Sequence, residues 1–295
     1  MAFERWNSSD QYSYVYRLFA KHHTHMNSLY WAHVPASSFC HGTSRRELKD
    51  TSPRTTQQLL HVSGVNSFRV NDDVKGFSSD LNEFDNWTRL NTLVAVLSYF
   101  ETYLSSVVSL AIESDLGLLY SIPKRIDGIM VLKHNNTSKY AFFDKSDGIT
   151  KGDWSKRAGE FKSLFGSVPQ IITDNISSLE RMRKLRNNVA HAFGRDIDET
   201  RARTTMELLP MERLTEKTLL KYMELILKIA KEVDLQLFSN HIGEYELTHY
   251  YHVNKERFSG PNEINDFKDS INKLYINLRS NNFCRELIDY YNGIA

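Results

Sequence analysis

The sequence has few residues that interrupt helices, and it has few cysteines. Its 295 residues include 6 prolines, 13 glycines and 2 cysteines. So few helix breakers, together with long stretches of helical apolar spacing, predict a mainly α-helical protein. Cys40 and Cys284 stand alone, without the spacing of zinc ligands or of a disulfide framework. Isolated cysteines favour a reducing, cytoplasmic location.

The chain also lacks a strong net charge of either sign. It contains 37 lysines and arginines and 36 aspartates and glutamates, and its formal net charge is +1. Any surface that binds nucleic acid must therefore be a local patch. The opening MAFERWNSSD contains acids and no apolar core, unlike a secretory signal. We expect no apolar run long enough to span a membrane, and hence a cytoplasmic protein with no membrane partner.

Helical periodicity is strongest in the middle of the chain. The hydrophobic fraction of 41% and the charged fraction of 25% are typical of soluble globular proteins. A broad apolar face begins at Trp87, returns at about Trp154 and in the segment around Leu179, and recurs over 214–239. Several amphipathic helices joined by modest loops predict an antiparallel helical bundle over 86–240.

Three further segments complete the expected domain organisation. Residues 1–85 are expected to form an N-terminal helix over 11–34 and a loop-rich extension, with one short helix near Gln57–His61. Residues 241–295 are expected to form a C-terminal helical segment packed on the bundle. The runs GIMVLK and KYAFF, separated by the polar HNNTS, predict a small β-hairpin insertion.

The stretch LERMRKLRNNVAHAFGRD, from Leu179 to Asp196, places an arginine within an apolar stripe. On a helical wheel, Arg186 falls close to the centre of an apolar face, and His191 lies about 140° away on the polar flank. Gly194 is expected to end this helix. The apolar face is formed by Leu179, Met182, Leu185, Val189 and Phe193.

A buried guanidinium is costly unless it has a partner or an opening to solvent. Glu101, in the strongest apolar helix, is the candidate partner of Arg186. In the alternative interpretation, this pair only fixes the register of two helices and His191 lies on the surface without a role.

Basic residues surround the arginine and histidine. No acid occurs between Arg181 and Arg195, a window that also holds Arg183 and Lys184. Such a stretch in a nearly neutral chain indicates a phosphate-bearing ligand such as RNA, although a solvated helix face would have the same composition.

These residue types suit the cleavage of RNA through its own 2′-OH. Histidine can give or take a proton near neutral pH. Arginine stays charged and can neutralise the phosphate. The chemistry requires no metal and no other cofactor.

The segment resembles the HEPN family (higher eukaryotes and prokaryotes nucleotide-binding), whose motif is R-x(4–6)-H with a polar residue often following the arginine. Here it reads Arg186-Asn187-Asn188-Val189-Ala190-His191, and the resemblance covers roughly residues 87–240. It implies a helical bundle that dimerises and acts as a metal-independent endoribonuclease in prokaryotic antiviral defence or as a toxin. An antitoxin or regulatory protein is then an expected partner. The implied catalytic residues are Arg186, His191, Asn187 and Glu101, and the implied RNA-binding residues are Arg181, Arg183, Lys184 and Arg195.

The motif alone has little specificity, because two other pairs also match it. These are Arg17 with His22 and Arg54 with His61. Only Arg186 is followed by asparagine and lies late in a strong helix that ends at a glycine. Two rival functions stay open: a non-catalytic module of the same fold that binds nucleotide, RNA or protein, and a purely structural interaction protein.

Overall fold

The computed structural model describes residues 2–134, 142–202, 206–258, 260–274 and 278–294. Within these ranges the chain is helical and contains no β-strand, only one isolated bridge between Asp115 and Asp127. The prediction of a mainly α-helical fold is confirmed. The α-helices are α1 (Tyr14–Glu47), α2 (Thr56–Leu60), α3 (Val74–Ser114), α4 (Gly128–His134), α5 (Phe143–Thr150), α6 (Trp154–Phe165), α7 (Gln170–Asp174), α8 (Ile176–Ala192), α9 (Ile197–Ala202), α10 (Glu216–Leu237), α11 (Tyr245–Asn254), α12 (Glu263–Asn272) and α13 (Asn281–Gly293).

The chain forms two compact units, each assembled from segments that are distant in sequence. Unit 1 comprises Met1–Lys21, Tyr99–Glu180 and Ile226–Ala295. Unit 2 comprises His22–Ser98 and Arg181–Leu225. The domain boundaries expected after residues 85 and 240 stay a prediction.

The core of unit 1 forms around the second half of α3. Phe100 stacks on Trp154 of α6, with ring centroids 6.1 Å apart, and also contacts Phe19 of α1. The Tyr103 hydroxyl donates to the carbonyl oxygen of Ala230 in α10 at 2.9 Å. Because the buried residues of α3 recur at intervals of three and four, one broad face of the helix is removed from water. They include Phe100, Leu104, Val107, Val108, Ala111 and Ile112.

Unit 2 has an apolar core and, beside it, a polar contact between α1 and α3. His33, Ser37 and His41 recur every four residues, so they share one face of α1. All three donate to the Asp85 carboxylate, at 3.0, 2.7 and 2.8 Å. The buried apolar residues of unit 2 include Tyr30, Leu90, Leu93, Leu97, Met182, Leu185, Leu219 and Met223.

The loop-rich extension expected over 35–80 was wrong at its two ends, which are helical, whereas 48–55 and 61–73 lie outside the α-helices. Helix α1 continues through Pro35 to Glu47, and α3 already begins at Val74. The physical reason is that hydrogen bonds to Asp85 hold this part of α1 in place. Polar contacts of this kind produce no apolar periodicity, so the sequence did not indicate a helix here. The short helix expected near Gln57–His61 is present as α2.

The prediction of a β-hairpin is also wrong for its first strand, because GIMVLK forms helix α4. The Asp127 side chain accepts a hydrogen bond from the backbone N–H of Ile129 at 3.1 Å, which caps the start of this helix. Tertiary packing of α4 thus overrides the β propensity of the run. Residues 135–141 lie outside the described ranges, and Phe143 begins α5.

Helix α3 is long and apolar enough, by length and composition, to cross a membrane. The sequence was expected to contain no apolar run of that length. Half of the most apolar stretch of α3 is buried within the protein, and a buried core helix passes the same test.

Candidate active site at the end of helix α8

Helix α8 carries the arginine–histidine motif. The first residues of its apolar face are buried, as the sequence predicted. Leu179, Met182 and Leu185 are buried. Arg186 is half-buried and follows directly after the last of them. His191 is exposed in the last turn of the helix. The motif therefore runs from the protein interior to the surface.

The end of α8 differs from the expected wheel at two residues, because Val189 is only half-buried and Phe193 is exposed. Phe193 lies outside the helix, adopts a left-handed backbone with φ of 53°, and is 57% exposed, so it does not belong to the buried face. Gly194 follows with φ of 79°, and its N–H donates to the carbonyl oxygen of Asn188 at 2.9 Å. Two successive left-handed residues stop the helix, as the sequence predicted for Gly194.

Asn187 lies beside the arginine. Its Oδ1 accepts a hydrogen bond from Nη1 of Arg186 at 3.3 Å, and both side chains are half-buried. The amide therefore restrains the guanidinium at the point where α8 reaches the surface. A polar residue directly after the arginine serves this geometry, because an apolar one could not accept the bond.

The segment just before α10 forms hydrogen bonds with the end of α8. The N–H of Glu212 donates to the carbonyl oxygen of Gly194 at 2.7 Å, and the side chain of Asn188 donates to Glu212 Oε1. Buried Asn86 of α3 donates to the Glu212 carbonyl and accepts from the N–H of Leu214. The sequence does not indicate Glu212 and Asn86, because hydrogen bonds between such distant positions leave no local pattern.

Glu101 has an ion partner that the sequence did not suggest. Its Oε1 accepts from both terminal nitrogens of Arg157 in α6, each at 3.2 Å. The Arg157 guanidinium also lies over the Trp154 ring, 4.8 Å from its centroid, and is buried. The expected pairing of Glu101 with Arg186 stays a prediction.

The four expected RNA-binding residues differ in exposure. Arg181 and Lys184 are exposed, whereas Arg183 and Arg195 are half-buried. Arg195 donates to the carbonyl oxygens of Leu209 and Phe193, so it also holds the loop after α8. The exposed basic residues of α8 are therefore Arg181 and Lys184, whereas Arg195 lies after the helix and holds the loop there.

The arginines of the two other motif matches bind carboxylates. Arg17 forms an ion pair with buried Asp10 at 2.9 Å. Arg54 pairs with Glu47 at 2.7 Å, and its hydrogen bonds lower the pKa of the Glu47 carboxyl to about 2. These contacts account for both arginines without a ligand.

Comparisons with known proteins add no family to this description. The described residues define a mainly α-helical protein. No family model matches the chain, and neither a curated protein nor a solved structure matches it.

Proposed function

We propose that this protein is a metal-independent endoribonuclease of the HEPN type. The observation that carries the proposal is the arrangement at the end of α8. An exposed histidine follows a half-buried arginine whose guanidinium is hydrogen-bonded to the next residue. Exposed Arg181 and Lys184 on the same helix add positive charge for an RNA backbone.

In the proposed reaction His191 takes the proton from the 2′-OH of RNA, and the 2′-oxygen attacks phosphorus. The bond from phosphorus to the 5′-oxygen breaks, and a protonated histidine gives that oxygen a proton. The products are a 2′,3′-cyclic phosphate and a 5′-hydroxyl. Arg186 stabilises the added negative charge on the phosphoryl oxygens, and Asn187 orients Arg186.

Binding of the substrate is proposed to rest on phosphate contacts from Arg181, Arg183, Lys184 and Arg195. Affinity would then fall as the salt concentration rises, because bound cations are released from the RNA when the protein binds. We further propose a cytoplasmic toxin or antiviral-defence function, with an antitoxin or regulatory protein as partner.

The first prediction concerns His191. Purified His191→Ala and Arg186→Ala proteins are expected to lose RNA cleavage by at least about 100-fold, the usual contribution of a general acid or base. His25→Ala, an exposed histidine elsewhere in unit 2, is the matched control and should cleave like wild type. Circular dichroism of each variant shows whether the fold is kept.

The wild-type reaction should continue in EDTA, leave a 2′,3′-cyclic phosphate and spare DNA of the same sequence, which lacks the 2′-OH. Wild-type activity in purified His191→Ala, or activity lost to EDTA and restored by a divalent ion, would overturn the assignment. RNA binding without cleavage by the wild type would instead support the non-catalytic module. In cells, growth arrest with wild type but not with His191→Ala would support the toxin function.

A further inference from the structure

A cavity of about 500 Å³ lies within unit 1, remote in sequence from the arginine–histidine motif. Helix α11 lines it with Glu246, His249, Tyr250 and Val253. Their spacing of three, four and seven residues puts them on one face of the helix. Helix α3 adds Glu113, one turn beyond Leu110. The volume lies within the range of small-molecule sites, which are mostly apolar with a few polar groups.

Glu113 is the polar group of this wall that is open to a ligand. Its side chain makes no hydrogen bond or ion pair within the part of the chain that the structure describes. Burial raises the pKa of its carboxyl to about 7. A carboxylate without a partner among apolar side chains is costly, and a bound positive charge removes that cost.

The second carboxylate of the wall has a different role. Glu246 Oε2 accepts a hydrogen bond from the backbone N–H of Tyr14 at 2.8 Å, which caps the first turn of α1. Burial raises the pKa of Glu246 to about 8. Since a carboxyl with this pKa is mostly neutral near pH 7, Glu246 serves mainly as the cap of α1, whereas Glu113 can contribute a direct contact to a ligand.

The remaining lining groups suit a cation and disfavour an anion. Among the described residues that line the cavity there is no lysine or arginine. Burial and the neighbouring His252 lower the pKa of His249, so that its ring is neutral near pH 7. The ring of Tyr250 presents aromatic surface, which attracts ammonium groups through the ring quadrupole, whereas the Tyr245 ring already has the Arg5 guanidinium over it, 5.2 Å from the ring centroid.

We propose that this cavity binds a small organic ammonium ion. The nitrogen pairs with the Glu113 carboxylate, and the apolar body packs against Leu110 and the tyrosines Tyr245 and Tyr250. The site is separate from the proposed ribonuclease chemistry and does not depend on it.

Isothermal titration of the full-length wild-type protein with 2-phenylethylammonium and n-hexylammonium tests the proposal. At least one amine is expected to bind, whereas 3-phenylpropanoate and 3-phenylpropanol, similar in size but anionic or neutral, should bind at least tenfold more weakly. Glu113→Gln should weaken amine binding at least tenfold. Glu232→Gln, an exposed glutamate of the same unit, is the matched control and should bind like wild type.

Proton release by the wild-type protein is a second measurement, which tests the proposal even if Glu113→Gln fails to fold. Binding of the amine near pH 6.5 should release protons, seen as a binding heat that depends on the ionisation enthalpy of the buffer, because the cation stabilises charged Glu113. The proposal is overturned if neither amine binds at millimolar concentration. Three further outcomes would also overturn it. The neutral or anionic compounds bind as tightly as the amines, folded Glu113→Gln keeps the wild-type affinity, or the amine binds without releasing protons.

Discussion

Buried charged side chains in unit 1 are mostly held by several partners at once. Arg5 forms an ion pair with Asp127 and also donates to the Ile242 carbonyl. Arg279 bridges Asp10 and Glu244 at 2.8 and 3.0 Å. Such multiple bonding offsets the desolvation of each ion. Glu113, with no such partner among the described residues, is the contrasting case, and its titration should be visible in the stability of the protein.

Glu113→Gln is predicted to stabilise the protein above pH 8 and to change little near pH 4.5. Since the folded-state pKa of about 7 is raised above the ordinary value of 4.5, the folded protein binds this proton more tightly than the unfolded chain. The stability contributed by the neutral carboxyl is complete below about pH 4.5 and is lost as the pH rises through 7. For this partly buried group, the gain in the variant above pH 8 should be roughly 1–3 kcal/mol.

Urea unfolding at the two pH values measures this difference. Glu232→Gln, exposed on α10, should show no comparable dependence on pH. An equal change in the free energy of unfolding at both pH values would contradict a raised pKa at Glu113.

At the scale of elements, the start of α4 shows how close packing selects a helix. A Cβ atom at Gly128 would overlap the carbonyl oxygen of Glu113 in α3. Only glycine lets the two backbones approach so closely. The Asp127 cap and this contact together position α4 against the end of α3.

Gly128→Ala is predicted to destabilise unit 1 by about 1–3 kcal/mol or more, because the added methyl group must push backbone apart. The matched control is Gly159→Ala in α6, where no atom lies within 4 Å of the added Cβ. That change should stabilise by roughly 0.5–1 kcal/mol through helix propensity. Thermal or urea unfolding of both variants measures the change in the free energy of unfolding. Similar changes for the two substitutions would contradict the prediction that the close backbone approach at Gly128 requires glycine.

At the scale of the whole molecule, we propose that the working ribonuclease is a homodimer. One chain supplies one Arg186–His191 pair, whereas in-line cleavage benefits from a base on one side of phosphorus and an acid on the other. A twofold axis would bring His191 of two chains to opposite sides of one cleft.

Sedimentation is therefore predicted to give twice the mass of one chain at concentrations where RNA is cleaved. Specific activity should fall on dilution below the dimer dissociation constant. His25→Ala, distant in sequence from α8, should leave both quantities unchanged. Full activity of a monomer at concentrations without detectable dimer would rule out a composite site.

The sequence by itself determined the helical class, the strong helices α3, α8 and α10, the buried face of α8 up to Leu185, and the end of that helix before Gly194. These features depend on apolar periodicity and on glycine, which act over a few neighbouring residues.

Tertiary structure alone decided the extension of α1 to Glu47 and the formation of a helix, not a hairpin, at Gly128. It also decided the pairing of Glu101 with Arg157 and the hydrogen bond between Asn188 of α8 and Glu212. Each depends on a hydrogen bond, an ion pair or a close backbone approach between residues far apart in the chain. Such contacts are set by which atoms meet after folding, and they leave no period in the sequence from which they could be predicted.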